Sequence, residues 1–167
     1  YRNVSYGRAE DHERYRYFAE ATPGAANTTP SYARKAADVG FSVPGGVRGD
    51  KRLTVELTGE PDVKIYYTTD GTTPTLTNGS TSSNGKFTVN STTTYRFCLF
   101  QEGKLPSQVI TRSYLYKDRD YTLPIISVVT DPINLYDDSL GVYVKGVNGR
   151  TGNGQSTPCN WNMDWDR

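Results

Sequence analysis

Residues 63–75 read Val-Lys-Ile-Tyr-Tyr-Thr-Thr-Asp-Gly-Thr-Thr-Pro-Thr, and this stretch decides the fold of the chain. In its first half, Ile65 and Tyr67 fall on one face of an extended backbone, because side chains along a β-strand alternate with a period of two. The Asp70-Gly71 pair is typical of a tight turn, since glycine adopts positive φ without a Cβ clash and aspartate hydrogen-bonds nearby backbone. The stretch therefore predicts a half-buried strand that ends in a turn, and the turn accounts for Asp70 without any catalytic role.

Other segments show the same alternation of apolar and polar residues. We expect residues 52–58 to pair with residues 63–68 as a hairpin, because the Gly-Glu-Pro-Asp sequence between them favours a turn. In residues 95–100, the alternation places Cys98 on the outer face of its sheet or under a covering segment. Six or seven short strands with turns at this spacing predict a small β-sandwich between residues 40 and 117. The remaining predicted strands are residues 87–89 and 108–116.

The sandwich region carries a family resemblance. Ile-Tyr-Tyr-Thr-Thr-Asp-Gly-Thr-Thr-Pro-Thr at residues 65–75, Gly-Lys-Leu-Pro-Ser at 103–107 and Thr-Arg-Ser-Tyr at 111–114 resemble the chitobiase/β-hexosaminidase C-terminal-type domain. Phe-Ser-Val-Pro-Gly-Gly at residues 41–46 is similar to the opening of that domain. The resemblance implies an immunoglobulin-like β-sandwich over residues 40–117, of the kind found as an accessory module beside enzymes and on bacterial surface proteins. It implies no particular ligand.

The N-terminal segment is charged and aromatic, with too few aliphatic residues to build a core alone. Ser-Tyr-Gly-Arg at residues 5–8 and Ala-Thr-Pro-Gly-Ala-Ala-Asn at residues 21–27 resemble the last part of a lamin-tail-type domain, which implies that residues 1–28 are the end of such a domain. Residues 29–39 then read as a linker or ordered bridge that contains at most one short helical turn.

The C-terminal segment carries a third resemblance. Leu-Pro-Ile-Ile-Ser-Val at residues 123–128, Gly-Val-Tyr-Val at residues 141–144 and the Trp-containing end look like the start of the spore coat protein H (CotH) family, whose members are atypical kinases. Residues 118–167 would then be a truncated N-terminal part of a CotH-like domain, and the nucleotide-binding and catalytic residues of that family would lie beyond this chain. The order of the three resemblances is similar to that of multidomain secreted or surface proteins of bacteria.

The same C-terminal segment contains two candidate strands. Residues 123–130 form a nearly continuous apolar, β-branched run, which predicts a strand covered on both faces. Residues 131–139 predict a loop or short helical turn, and residues 141–144 a second strand. We expect the two strands to form a hairpin-like addition beside the sandwich, because burying the large aliphatic side chains of the first strand is favourable.

Composition excludes several classes of partner. The chain has 167 residues, 35% hydrophobic content, 13 tyrosines and a formal net charge of +1, so no strong field attracts nucleic acid. No run of residues approaches the roughly 20 apolar residues of a membrane span. Cys98, Cys159 and a single histidine are too few for a disulfide framework or the usual zinc site. The start at Tyr1 and the resemblances predict a fragment of an exported protein with an extracytoplasmic location.

The residue patterns predict no catalytic residue, no metal site and no cofactor. His12 lies among Glu10, Asp11 and Glu13, where a solvated charge run explains it better than acid–base chemistry. The chain has no glycine-rich phosphate loop. Two carboxylate clusters are candidates for Ca²⁺, but they lack the oxygen spacing of a calcium loop and are better explained as turns. They are Asp118 with Asp120, and Asp131 with Asp137 and Asp138.

Aromatic residues are the candidate ligand contacts. Tyr66, Trp161 and Trp165 are able to stack on sugar rings, although aromatic side chains more often serve as buried or interface residues. We therefore predict a non-catalytic accessory or spacer/adhesion module of a larger exported bacterial surface protein. A carbohydrate-binding module and a fragment of a CotH-like atypical kinase remain the alternatives. The expected partners are a carbohydrate or a cell-surface protein and neighbouring domains of the same protein.

Overall fold

The computed structural model describes residues 4–9, 13–49, 52–59, 63–82, 85–149 and 158–162. The strands in these residues are β1 (Ser5–Arg8), β2 (Tyr15–Phe18), β3 (Ser31–Tyr32), β4 (Arg34–Lys35), β5 (Gly40–Phe41), β6 (Gly46–Arg48), β7 (Leu53–Thr58), β8 (Lys64–Thr68), β9 (Ser80–Thr81), β10 (Lys86–Val89), β11 (Thr93–Phe100), β12 (Lys104–Leu105) and β13 (Ile110–Tyr116). The helical elements are α1 (Ile133–Tyr136) and two 3-10 turns, Val147–Gly149 and Asn160–Asn162.

Two antiparallel-rich sheets form the sandwich. One sheet has the strand order β10-β7-β5, and the other has the order β6-β13-β11-β8-β9. β11 is the central strand of the larger sheet, where it pairs with β8 on one side and β13 on the other. The prediction of a mostly-β, immunoglobulin-like sandwich is confirmed.

The predicted hairpin between residues 52–58 and 63–68 is wrong. β7 pairs with β10 and β5, whereas β8 pairs with β11 and β9, so the two strands belong to opposite sheets. Val55 and Leu57 of β7 and Ile65 of β8 are all buried in one core cluster. Each strand has one apolar face, and placing them in opposite sheets lets both faces meet in the core.

Aromatic side chains fill the core between the sheets. Phe97 and Tyr114 are fully buried, and the ring of Phe87 lies 4.8 Å from that of Tyr95 and 5.3 Å from that of Phe97. The Tyr114 hydroxyl donates a hydrogen bond to the Val43 carbonyl oxygen at 3.0 Å. Tyrosine therefore supplies apolar volume to this core while its hydroxyl bonds a backbone carbonyl at the margin.

The segment before the sandwich is made of short strands. β1, β2 and β3 form a three-stranded sheet, and β4 pairs in parallel with β12. Residues 29–39 contain no helical turn, and the backbone of β4 pairs with β12. Ala36 and Val39 are buried in the sandwich core, and Ala36 N–H donates to the Leu105 carbonyl at 2.8 Å. These residues are therefore packed into the fold.

Both strands predicted in the C-terminal segment are wrong. In the described part of the chain, residues 123–129 belong to no strand and their backbone makes no hydrogen bond. The amides of Val142 and Tyr143 donate to the carbonyls of Asn134 and Leu135, at 3.0 and 2.9 Å. These local bonds occupy residues that the hairpin would need. The predicted short helical turn in residues 131–139 is confirmed as α1.

The hydrophobic side chains of this segment are exposed as a result. We call residues 123–128 the aliphatic segment. Its Ile126 is 85% exposed and its Leu123 and Val128 are also mostly exposed. Among the described residues, no helix is both long and apolar enough to span a membrane.

Candidate functional site

The Asp70-Gly71 turn is confirmed and serves the fold. Gly71 has φ of +86°, and an Asp70 carboxylate oxygen accepts hydrogen bonds from the Thr72 hydroxyl at 2.6 Å and the Thr72 amide at 3.0 Å. These two bonds lower the pKa of Asp70, with the hydroxyl making the larger contribution. Arg96 Nη1 donates to the Gly71 carbonyl at 2.6 Å and ties the turn to β11.

The candidate sugar-contact residues lie in different parts of the fold. Tyr66 is half-buried on β8, where its ring meets the edge of the Phe100 ring at 5.4 Å. Trp161 is 54% exposed on the 3-10 turn Asn160–Asn162. Trp165 lies outside the described residues, as does His12. Within the described part of the chain, no ring contact joins Tyr66 to Trp161, so their shared role as sugar contacts stays a prediction.

Trp161 stands on an anchored turn. The neighbouring Asn160 is fully buried, and its side-chain amide donates to the carbonyls of Asp138 at 3.0 Å and Gly141 at 3.1 Å. Asn160 N–H donates to the Lys145 carbonyl at 3.1 Å. These bonds fix the turn that carries the exposed indole at the surface of the C-terminal segment.

Cys98 is buried beneath the segment that leads into β13. Its thiol lies 3.5 Å from the Ser107 carbonyl, and the Ser107 hydroxyl accepts a hydrogen bond from the Leu99 amide at 2.9 Å. Burial raises the pKa of the Cys98 thiol, and the Ser107 hydrogen bond opposes that effect. The expectation of a covering segment over Cys98 is confirmed, and the raised pKa makes this thiol a poor nucleophile.

A surface cleft brings together residues from several elements of the described fold. It has a volume of about 650 Å³ and lies beside the start of β6. Residues 39–41 and 44–47 line the cleft together with residues 111–113 and Leu115 of β13. Ile125 and Ser127 of the aliphatic segment complete the lining. The cleft thus joins residues that are far apart in the sequence.

Arginine and serine side chains give the cleft its polar character. The Arg112 guanidinium lies 4.8 Å from the centre of the Phe41 ring, and its Nη1 donates to the Thr111 carbonyl at 2.9 Å. The Ser113 and Ser127 hydroxyl oxygens are 2.9 Å apart. Sequence analysis missed this site, because Phe41, Arg112 and Ser127 share no local motif.

Comparison with protein families addresses the sandwich. Residues 43–111 match the family model of the chitobiase/beta-hexosaminidase C-terminal domain. No curated protein and no solved structure matches the chain. The match supports the resemblance drawn from residues 65–75, whereas the lamin-tail and CotH resemblances stay predictions.

The cleft straddles the end of the chitobiase-type match. Gly45, Gly46 and Val47 lie inside the matched residues, whereas Arg112 and Ser127 lie outside them. A Cβ on Gly45 would sit 2.9 Å from the Ser113 carbonyl oxygen, so glycine permits this close approach to β13. The family match therefore covers only part of the cleft lining.

The carboxylates of the two acidic clusters make local bonds. Asp118 accepts a hydrogen bond from the Tyr121 hydroxyl at 2.7 Å, and Asp120 pairs with Lys117 at 2.7 Å. An Asp137 oxygen accepts from the amides of Ser139 and Leu140, each at 2.9 Å. The Tyr121 hydroxyl lowers the pKa of Asp118, and Lys117 lowers that of Asp120. Among the described residues, no cluster of three His, Cys, Asp or Glu side chains fits a metal ion.

Proposed function

We propose that this chain is a non-catalytic accessory and spacer module of a larger exported bacterial surface protein, located outside the cytoplasm. The observation that carries the proposal is the match of residues 43–111 to the chitobiase/beta-hexosaminidase C-terminal domain, on a sandwich of immunoglobulin-like type. Three of its polar side chains make hydrogen bonds within the chain. Asp70 holds a turn, Tyr114 bonds a backbone carbonyl and Ser107 satisfies a buried amide.

The aliphatic segment supports a spacer role. Its exposed side chains form an apolar surface, and a surface of this kind marks a site of protein contact. Residues 123–129 also have no backbone hydrogen-bond partner among the described residues, so their N–H and C=O groups are available to another chain segment. We propose that a neighbouring domain of the same protein covers this surface.

Hydrogen exchange tests the docking part of the proposal. Amides of residues 123–129 should exchange quickly in this chain alone, because they are unbonded, and slowly in the longer protein. The amides of β11 serve as the matched control, since they are paired in the sheet in both samples. Equally fast exchange of residues 123–129 in both proteins would contradict docking.

Activity assays test the non-catalytic part. Incubation of the chain with ATP-Mg²⁺ and generic protein substrates, and separately with chitooligosaccharides, should give no turnover above the blank. Turnover that persists after a second purification would refute this part of the proposal.

Carbohydrate binding is the second candidate function. It is supported by the half-exposed indole of Trp161 on an anchored turn, because an exposed indole can stack on a sugar ring and the turn that carries it is already ordered. Substitution Trp161→Ala should then remove retention on a polysaccharide column, with Tyr143→Ala, another exposed aromatic, as the control. The kinase candidate rests only on the resemblance of residues 123–167 to the CotH family.

A further inference from the structure

We propose that the cleft beside the start of β6 binds the carboxylate-bearing sugar of an acidic polysaccharide, with Arg112 as the residue that recognises the carboxylate. The inference goes beyond the spacer role, and the cleft shares Ile125 and Ser127 with the aliphatic segment. Neither Arg112 nor the cleft belongs to the predicted sugar contacts Tyr66, Trp161 and Trp165.

The size and shape of the cleft suit one or two sugar units. Its volume of about 650 Å³ lies within the roughly 300–1,000 Å³ range of small-molecule sites. Val47, Leu115 and Ile125 supply apolar surface, against which the C–H face of a pyranose ring can pack. The cleft is open at the surface, so an internal sugar unit of a polymer can bind in it as well as a terminal one.

Arg112 has donors to spare. A guanidinium carries five N–H donors in a planar fork, and a single bond, from Nη1 to the Thr111 carbonyl, uses one of them. The described residues provide no carboxylate partner for Arg112. The Phe41 ring at 4.8 Å supports the face of the guanidinium and leaves its edge available. A carboxylate fits this edge through two parallel hydrogen bonds.

A second guanidinium adds to the positive charge. Arg48 donates from Nη2 to the carbonyl of Pro44, a residue of the cleft lining, and its buried Nε has no partner. Both Arg48 and Arg112 act on the buried Tyr114 hydroxyl, whose pKa burial raises and the two guanidiniums lower. None of the described residues that line the cleft is acidic. The local charge therefore favours an anionic ligand.

The hydroxyl groups favour a sugar over other carboxylates. The Ser113 and Ser127 hydroxyls are hydrogen-bonded to each other at 2.9 Å, and Ser113 also bonds the Thr94 hydroxyl at 2.9 Å, so Ser127 keeps the spare hydrogen-bonding capacity. Such groups match the mixed donors and acceptors on a pyranose. A peptide that ends in a free carboxylate is the competing ligand, and the experiment below separates the two.

The test is a calorimetric titration of the full chain with a polygalacturonate oligomer. Matched arms use the same oligomer with its carboxylates reduced to alcohols, and a short apolar peptide with a free C-terminus. We expect binding of the acidic oligomer alone, and we expect higher salt to weaken it. The proposal is refuted by absence of binding at millimolar concentration, by equal binding of the neutral oligomer, or by preference for the peptide.

Variants locate the binding in the cleft. Arg112→Gln should weaken binding of the acidic oligomer about tenfold or more, because it removes a charged hydrogen-bonding partner. Arg34→Gln, on the exposed strand β4, is the matched control and should bind as the parent does. Unchanged binding by Arg112→Gln would overturn the assignment. If that variant does not fold, chemical-shift changes in the parent protein decide: the amides of Gly45, Ser113 and Ser127 must shift, and shifts elsewhere alone would refute the site.

Discussion

The Asp70-Gly71 turn gives a sharp prediction, because the chain contains a matched control. Gly71 and Gly103 both have positive φ, +86° and +71°. A Cβ at Gly103 would meet no atom within 4 Å, whereas a Cβ at Gly71 would sit 2.5 Å from the Thr130 carbonyl oxygen. Replacing each glycine with alanine therefore separates backbone strain from a clash with the C-terminal segment.

The expected magnitudes follow from these surroundings. Alanine in the left-handed region costs about 1 kcal/mol, which should lower the melting temperature of a chain of this size by about 2–4 °C for Gly103→Ala. Gly71→Ala adds displacement of Thr130, whose hydroxyl accepts a hydrogen bond from the side-chain amide of Asn134 at 2.7 Å. Loss of that bond adds about 1 kcal/mol, so the melting temperature should fall by roughly 4–8 °C.

Thermal unfolding followed by circular dichroism, at one pH and protein concentration, compares the two variants with the parent. Exchange of the 130–134 amides, measured in parallel, should accelerate in Gly71→Ala and stay unchanged in Gly103→Ala. Equal losses of melting temperature in the two variants would show that Thr130 does not pack on the turn, and the reasoning would fail.

Three further outcomes are expected. Leu99→Ala should lower the free energy of unfolding by about 2–5 kcal/mol in chemical denaturation, because Leu99 is 0% exposed. Ile126→Ala, at an 85% exposed position, should change it by no more than about 0.5 kcal/mol. Similar costs for the two variants would contradict the burial of Leu99. Ser107→Ala should cost about 1–3 kcal/mol by leaving the buried Leu99 amide unpaired; an unchanged urea midpoint would contradict the bond. Hydrogen bonds from Thr72 lower the pKa of Asp70 in the folded state. The stabilisation from this carboxylate is therefore present above its unfolded pKa of about 3.9, and it is lost as pH falls through the lower folded pKa. In Asp70→Asn, the melting temperature should therefore fall less steeply with pH below about pH 4 than it does in the parent protein. Equal slopes in the two proteins would refute this.

Local features of the fold were predictable from the sequence. The alternation around Ile65 and around Phe97 placed both side chains in the core, and Asp70-Gly71 formed the expected turn. Strand period and turn chemistry depend on neighbouring residues, so they are readable without knowledge of distant partners. The family resemblance of residues 65–75 was readable for the same reason.

The choice between competing partners was not predictable in this way. The sequence of residues 123–130 favours a strand, but no partner strand reaches it in the described residues, and local bonds to Asn134 and Leu135 occupy Val142 and Tyr143. An apolar run predicts that its side chains tend to be buried. Strand pairing, in contrast, depends on which backbone N–H and C=O groups the other segments leave unpaired. The candidate sugar contacts show the same limit. The sequence around Tyr66 and around Trp161 does not indicate which residues lie next to each side chain in the fold.

What the sequence by itself determined is therefore the strand faces, the turn and the β-sandwich class of residues 40–117. Only the tertiary structure decided that β7 and β8 lie in opposite sheets and that Ala36 belongs to the core. The cleft is the clearest case, since it brings Phe41 to Arg112 across about 70 residues of chain. Contacts at that separation arise from sheet packing, and no local pattern of residues specifies which side chains will meet.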